Sequence, residues 1–261
     1  MKFLPAARRG TQDALVDPRK ALKDHLADWR SWGVDAVPRA LVASTANPPP
    51  VSAAASPAPV AAGPNPEAPA GAASSPDLET LRVLVASCTA CALCKTRTQT
   101  VFCSGEPSPL LFVGEAPGAD EDATGEAFVG AAGKTLTKLL KEVGITRDQV
   151  YIANVLKCRP PNNRPPEPVE VAACAPFLKK QIELLNPKVI CALGKHAAFS
   201  LMGWEGSMKS LRGSWRTMDG RWVTATYHPS YLLRSPGDTE TVKTDLRGLV
   251  DKLTSLGARL P

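Results

Sequence analysis

A chain of 261 residues, 44% of them hydrophobic, holds enough apolar material for one or two domains with a sizeable core. No apolar run reaches the ~20 residues that a bilayer crossing requires, and the opening Met1-Lys2-Phe3-Leu4-Pro5 lacks the apolar stretch of a secretory signal, so a cytoplasmic protein with no membrane contact is expected. The formal charge of +6 is unevenly placed: residues 1–79 carry eight basic and eight acidic side chains, while residues 80–261 carry 23 and 17, a balance that suits a polyanionic partner.

Three zones follow in chain order. Residues 1–45 predict one helix, Arg19 to Trp32, with Leu22, Leu26 and Trp29 on one face, as a docking element or a satellite of the main core. Residues 46–74 are almost wholly Ala, Pro, Ser and Gly, which cannot repay their ordering entropy, and predict a disordered linker. Order is expected to resume over residues 75–261, where Ser75-Pro76 forms a helix start and a helix from Asp77 to Ala86 leads to Cys88.

Beyond Cys88, short apolar runs alternate with helical patterns. Leu110 to Val113, Val150 to Ala153, Val189 to Leu193 and Trp222 to Thr226 read as strands; Lys134 to Val143 and Val169 to Leu185 read as helices. This alternation predicts an α/β fold, a three-layer α/β/α sandwich with a central, mostly parallel sheet covered on both faces. Polar motifs fall just after the strands: Gly114-Glu115-Ala116-Pro117-Gly118, Asn154, Gly194-Lys195-His196 and His228-Pro229-Ser230. Open α/β sheets place their ligand crevice at those carboxyl ends.

Seven cysteines, an odd number in a chain of this type, argue against a disulfide framework. Cys88 and Cys91 form a C-x2-C turn, and Cys158 and Cys174 a wider pair. Spacing alone leaves an iron–sulfur cluster, a structural zinc and ordinary thiols open. Cys94 forms a second C-x2-C with Cys91 and is a rival ligand; Cys191, in an apolar strand, reads as core.

Taken together, Cys88-Thr89-Ala90-Cys91, Gly114 to Gly118 with Glu121-Asp122, Gly125 and Phe128-Val129-Gly130, then Asn154 to Pro161, then His228 to Arg234 resemble the family-four uracil-DNA glycosylases, in unbroken order over about 180 residues. The resemblance implies a [4Fe–4S] cluster on Cys88, Cys91, Cys158 and Cys174, leaving Cys94 out, and the excision of uracil from single- or double-stranded DNA by a monomer at the nucleoid. A related branch that joins itself covalently to uracil-DNA has Gln where Ala116 stands and carries an inserted histidine loop. Neither feature is present here, so ordinary turnover is expected.

Glycosidic cleavage in a flipped-out nucleotide leaves negative charge on the base and positive charge on the sugar. His228 is the candidate to stabilise the departing anion through a ring N–H, an oxyanion-hole role. Asn154 offers an acceptor and two donors that match uracil N3–H and O4, Phe128 a stacking surface, and Ala116 and Gly118 main-chain amides close to the base or a phosphate. Ala116 stands where better-known relatives carry a water-activating aspartate, so Glu121 and Glu115 are the substitute carboxylates. Glu121 is also placed to crowd a thymine methyl. Arg159, Arg164, Arg212 and Arg234 are candidate phosphate ligands, and Leu232, with its neighbours, a candidate wedge in the base stack. His196 reads as structural, and His25 has no chemical context. A second reading keeps the cluster and the DNA affinity without catalysis, as an accessory that meets a polymerase or repair partner through the N-terminal segment.

Overall fold

The computed structural model describes residues 76–261 apart from position 205. The helix expected at residues 19–32 and the linker at 46–74 lie outside the described residues.

The described chain runs α1 (Pro76–Ala86), β1 (Leu110–Gly114), α2 (Ala119–Thr124), α3 (Ala131–Glu142), β2 (Tyr151–Asn154), α4 (Pro168–Leu185), β3 (Val189–Leu193), α5 (Lys195–Met202), α6 (Met208–Leu211), β4 (Arg216–Met218), β5 (Arg221–Thr226), α7 (Pro229–Leu232) and α8 (Thr239–Ser255). The sheet order is β2-β1-β3-β5-β4, parallel throughout except for the edge strand β4, which is antiparallel to β5.

Every residue of β1, β2 and β3 is buried, as strands covered on both faces must be. Their alternate side chains feed two cores. Leu111, Val113, Ala153, Ile190 and Ala192 meet Leu81, Val85, Leu178 and Ile182 of α1 and α4. Leu110, Phe112, Ile152, Val189 and Cys191 meet Leu136, Leu139 and Leu140 of α3 and Leu246 and Leu249 of α8. The result is the expected three-layer α/β/α sandwich. Cys191 is wholly buried in that second core.

Several elements go beyond the sequence expectation, two of them with a clear local cause. Helix α8 buries Val242, Leu246, Leu249 and Leu253, a stripe at spacings of four and three. The β4–β5 hairpin turns on Asp219-Gly220, both at positive φ (48° and 77°), the left-handed pair that a tight two-residue hairpin requires.

The sheet topology decides where a site can form. The chain leaves β1 for β2 on one side and reaches β3 on the other, so the loops after β1 and β3 diverge. Open α/β sheets place their ligand crevice at such a point, at the carboxyl edge.

Candidate active site and cysteine cage

Gly114 ends β1 directly opposite Asn154 at the end of β2. A Cβ on Gly114 would stand 2.3 Å from Asn154 Oδ1 and 2.5 Å from the Phe128 ring, so both side chains close over this glycine. The His228 ring lies 5.7 Å from that of Phe128, centroid to centroid, with the planes 38° apart. Asn154, Phe128 and His228, which are far apart in the chain, therefore meet at one place.

Asn154 is 2% exposed, and its Oδ1 is buried with no hydrogen-bond partner. A buried, unpaired amide oxygen is costly and rare in a folded chain. An N–H from a bound ligand would satisfy it.

Phe128 adopts φ +56°, in the left-handed region that bulky side chains avoid. Several contacts hold it there. Both oxygens of Glu121 are taken by main-chain N–H groups: Oε1 accepts from Val129 at 3.0 Å and Gly130 at 2.9 Å, and Oε2 from Gly118 at 3.0 Å. Arg147 donates to the carbonyl of Ala127 and to Ser104 Oγ at 3.0 Å. Gly133 of α3 packs so closely that a Cβ there would overlap the Phe128 carbonyl at 1.8 Å. Sequence reasoning did not single out Arg147 or Gly133, because nothing local connects either residue to Phe128.

Two expectations change accordingly. The Glu121 carboxylate ties down the loop rather than standing open to water, and the Gly118 N–H is given to Glu121 rather than to a base or phosphate. Asp122 is likewise committed, accepting the Thr98 N–H at 3.0 and 3.1 Å. Glu115 is half-buried, and burial pushes its carboxyl above the usual range against the opposing pull of His196. Ala116 packs toward the cysteines.

His228 caps α7. Its Nδ1 accepts the Ser230 main-chain N–H at 3.2 Å and lies 2.7 Å from Ser230 Oγ. A main-chain N–H can only donate, so Nδ1 is unprotonated and the neutral ring carries its proton on Nε2. Burial, helped by the Arg234 charge and opposed by Glu121, pushes the imidazole down to about 4. At neutral pH, His228 is an uncharged donor.

The proposed DNA contacts separate into three groups. Arg234 is exposed, and Arg159 is half-buried with its Nε on Asn163 Oδ1 at 2.7 Å. Arg164 instead forms a forked pair with Glu170 at 2.9 and 2.6 Å, and Arg212 one with Asp245 at 3.1 and 2.7 Å, so both half-exposed guanidinium groups are engaged by buried carboxylates. Leu232 is corrected outright: it is 5% exposed and packs in the core, while Leu233, 56% exposed, carries the apolar surface of that loop.

Next to this site, one cavity is lined by Cys88, Cys91, Cys158 and Cys174, with Cys94, Arg97 and Lys157 also on its wall. Cys88 follows α1, Cys91 precedes a short helical turn, Cys158 follows β2 and Cys174 lies in α4. Donors point at the sulfurs: Arg97 at Cys158 (3.2 Å), the Lys157 N–H at Cys174 (3.2 Å) and the Ala90 N–H at Cys88 (3.4 Å). Burial raises all four thiols, Cys174 to about 12, so free thiolates would be unstable there. The four thiols surround this one cavity. Four thiols with sulfur-directed donors and two nearby cations, Arg97 and Lys157, have the donor chemistry that an anionic iron–sulfur group requires.

Comparison with known proteins agrees with fold and site. The family model described as the uracil DNA glycosylase superfamily matches residues 102–250, more than half of the chain. A type-4 uracil-DNA glycosylase of Thermotoga maritima is 50% identical over 163 residues, covering 60% of this chain and 84% of the relative. Type-4 uracil-DNA glycosylases of Sulfurisphaera tokodaii (44% over 180 residues, 65% of this chain and 82% of the relative) and Archaeoglobus fulgidus (45% over 173 residues, 62% and 86%) match in the same way. The chain belongs to the type-4 uracil-DNA glycosylases of that superfamily.

Proposed function

We propose that this chain hydrolyses the N-glycosidic bond of deoxyuridine in DNA, leaving an abasic site that opens base excision repair. The unpaired, buried Oδ1 of Asn154, beside Phe128 and His228, carries the reading. Uracil presents an N3–H donor and an O4 acceptor to that amide. Cytosine inverts both, which leaves buried groups unpaired and rejects it. Phe128, fixed in one conformation by Glu121, Arg147 and Gly133, stacks the flipped ring.

His228 acts on the leaving group. As the bond breaks, charge grows on uracil O2, and the Nε2–H of the neutral ring donates to it without the ring first having to take up a proton. With the Glu121 oxygens occupied, Glu115 is the carboxylate left in the post-β1 loop to influence the water. Most of the rate then comes from stabilising the departing anion. Arg234 and Arg159 bind phosphates, which suits an enzyme that must accept any flanking sequence.

Cys88, Cys91, Cys158 and Cys174 would hold a [4Fe–4S] cluster. When bound, the cluster supplies iron–sulfur bonds that staple α1, the end of β2 and α4 together. A monomer acting at the nucleoid completes the proposal.

The test is uracil release from single- and double-stranded oligonucleotides, read as alkali-labile breaks. Wild type should cut at uracil, and His228→Ala should lose at least about a hundredfold in kcat with DNA affinity nearly unchanged. Tight binding without any cleavage by wild type would favour the accessory reading instead.

A further inference from the structure

Lys157, on the wall of the cysteine cavity, also touches the pocket residue Asn154. It is 1% exposed, one of the largest fully buried side chains of the described domain. Its ammonium donates to the main-chain carbonyl of Asn154 at 2.8 Å. Its own N–H donates to Cys174 Sγ at 3.2 Å, and its carbonyl accepts from Val101 N–H at 2.8 Å. The residue lines the cysteine cavity together with Arg97, and the ionisable groups that favour its charged form are the thiols of Cys174, Cys103 and Cys158.

A buried ammonium needs negative charge close by, and a lone carbonyl does not supply it. Four cysteine sulfurs ligating iron do, because each gives up its proton and the assembly is anionic. The carbonyl that takes the ammonium's hydrogen bond belongs to the residue that reads the base. One side chain thus joins the charge balance of the cage to the main chain of the pocket.

We propose that Lys157 is a positioning residue that couples the cysteine cage to Asn154: its ammonium balances the charge of the iron-loaded cage and, through its bond to the Asn154 carbonyl, fixes the amide against the uracil edge. The inference rests on the uracil-excision and cluster readings above. It predicts that the two roles separate by chemistry. Lys157→Met removes both charge and donor, whereas Lys157→Gln removes the charge and keeps an N–H donor.

The experiment uses the full chain purified with its iron and measures iron content, the midpoint potential of the cluster and uracil-release kinetics. Removing a positive charge beside the cluster disfavours reduction, so both variants should shift to a more negative potential. Lys157→Met should lose about tenfold to a hundredfold in uracil release, carried by kcat because phosphate contacts set KM, and Lys157→Gln should recover most of it. If the Met variant fails to load iron, the Gln variant carries the test by retaining iron with the negative shift. Iron-loaded variants with wild-type potential and wild-type kcat would overturn the proposal. A wild-type protein that holds iron but releases no uracil would instead sink the excision reading, while the potentials still decide the charge role of Lys157.

Discussion

Gly114→Ala tests the convergence of the site with one methyl group. The new Cβ would stand 2.3 Å from Asn154 Oδ1 and 2.5 and 2.6 Å from two Phe128 ring carbons. Relaxed contacts lie near ~3.5 Å, so the methyl must push these groups apart by roughly 1 Å. The displacement falls on the side-chain ends, because the main chains are held. Phe128 is pinned through its main chain by Glu121, Arg147 and Gly133, and Asn154 is registered in β2 against β1. Overpacking of this kind costs about 1–3 kcal/mol of stability, which a domain of this size survives. A ~1 Å displacement of two groups that hold the base should lower kcat/KM by about a hundredfold. The assay pairs uracil release under single-turnover conditions with thermal unfolding. A folded variant that excises uracil at the wild-type rate would mean that Asn154 and Phe128 do not grip the base, and the site described here would be wrong.

Other perturbations probe single links. Asn154→Asp places a carboxylate against uracil O4 and should lower uracil excision by about two orders of magnitude, through a repelled acceptor and an unpaired buried charge; an unchanged ratio of uracil to cytosine release counts against the recognition role. Cys174→Ser should abolish iron content and broad absorbance near 400 nm, whereas Cys94→Ser should leave both in place although Cys94 lines the same cavity; the reverse pattern would exchange the ligands. Because the folded His228 imidazole sits at about 4 and the unfolded one near ~6.5, the unfolded chain takes up the proton first as the pH falls. The stability contribution of the neutral ring is therefore full above about pH 6.5 and is lost between there and about pH 4. Denaturant melts of wild type and His228→Gln across that window should converge at low pH, and parallel curves would refute the assignment.

The fold was largely legible because its signals are local. Buried parallel strands announce themselves as apolar runs, and Gly, Asn and His at their ends announce an edge that does something. What escaped was written in quieter terms. Helix α8 buries four aliphatics among twelve other polar, charged and small positions, so its stripe is visible only once the period is counted. The Asp219-Gly220 turn is a strong hairpin signal, but β4 is three residues long and hardly buried, which leaves no apolar run to flag it.

The site was legible as residue types and not as commitments. A sequence shows that Glu121, Arg164 and Arg212 carry charge; it does not show whether that charge is available. In the folded chain, the two arginines are closed by carboxylates and Glu121 by three main-chain N–H groups. Such pairings join positions up to 33 residues apart with no periodic signature. Leu232 and Leu233 make the same point with apolar groups: adjacent leucines on one short helical turn face opposite ways, and only packing decides which meets water. The catalytic potential of this edge therefore rests on what the fold leaves unsatisfied. The Asn154 oxygen is left without a partner beside Phe128, and His228, its Nδ1 taken by the Ser230 main-chain N–H, is left with Nε2–H as its donor; availability of that kind can be read only from the folded chain.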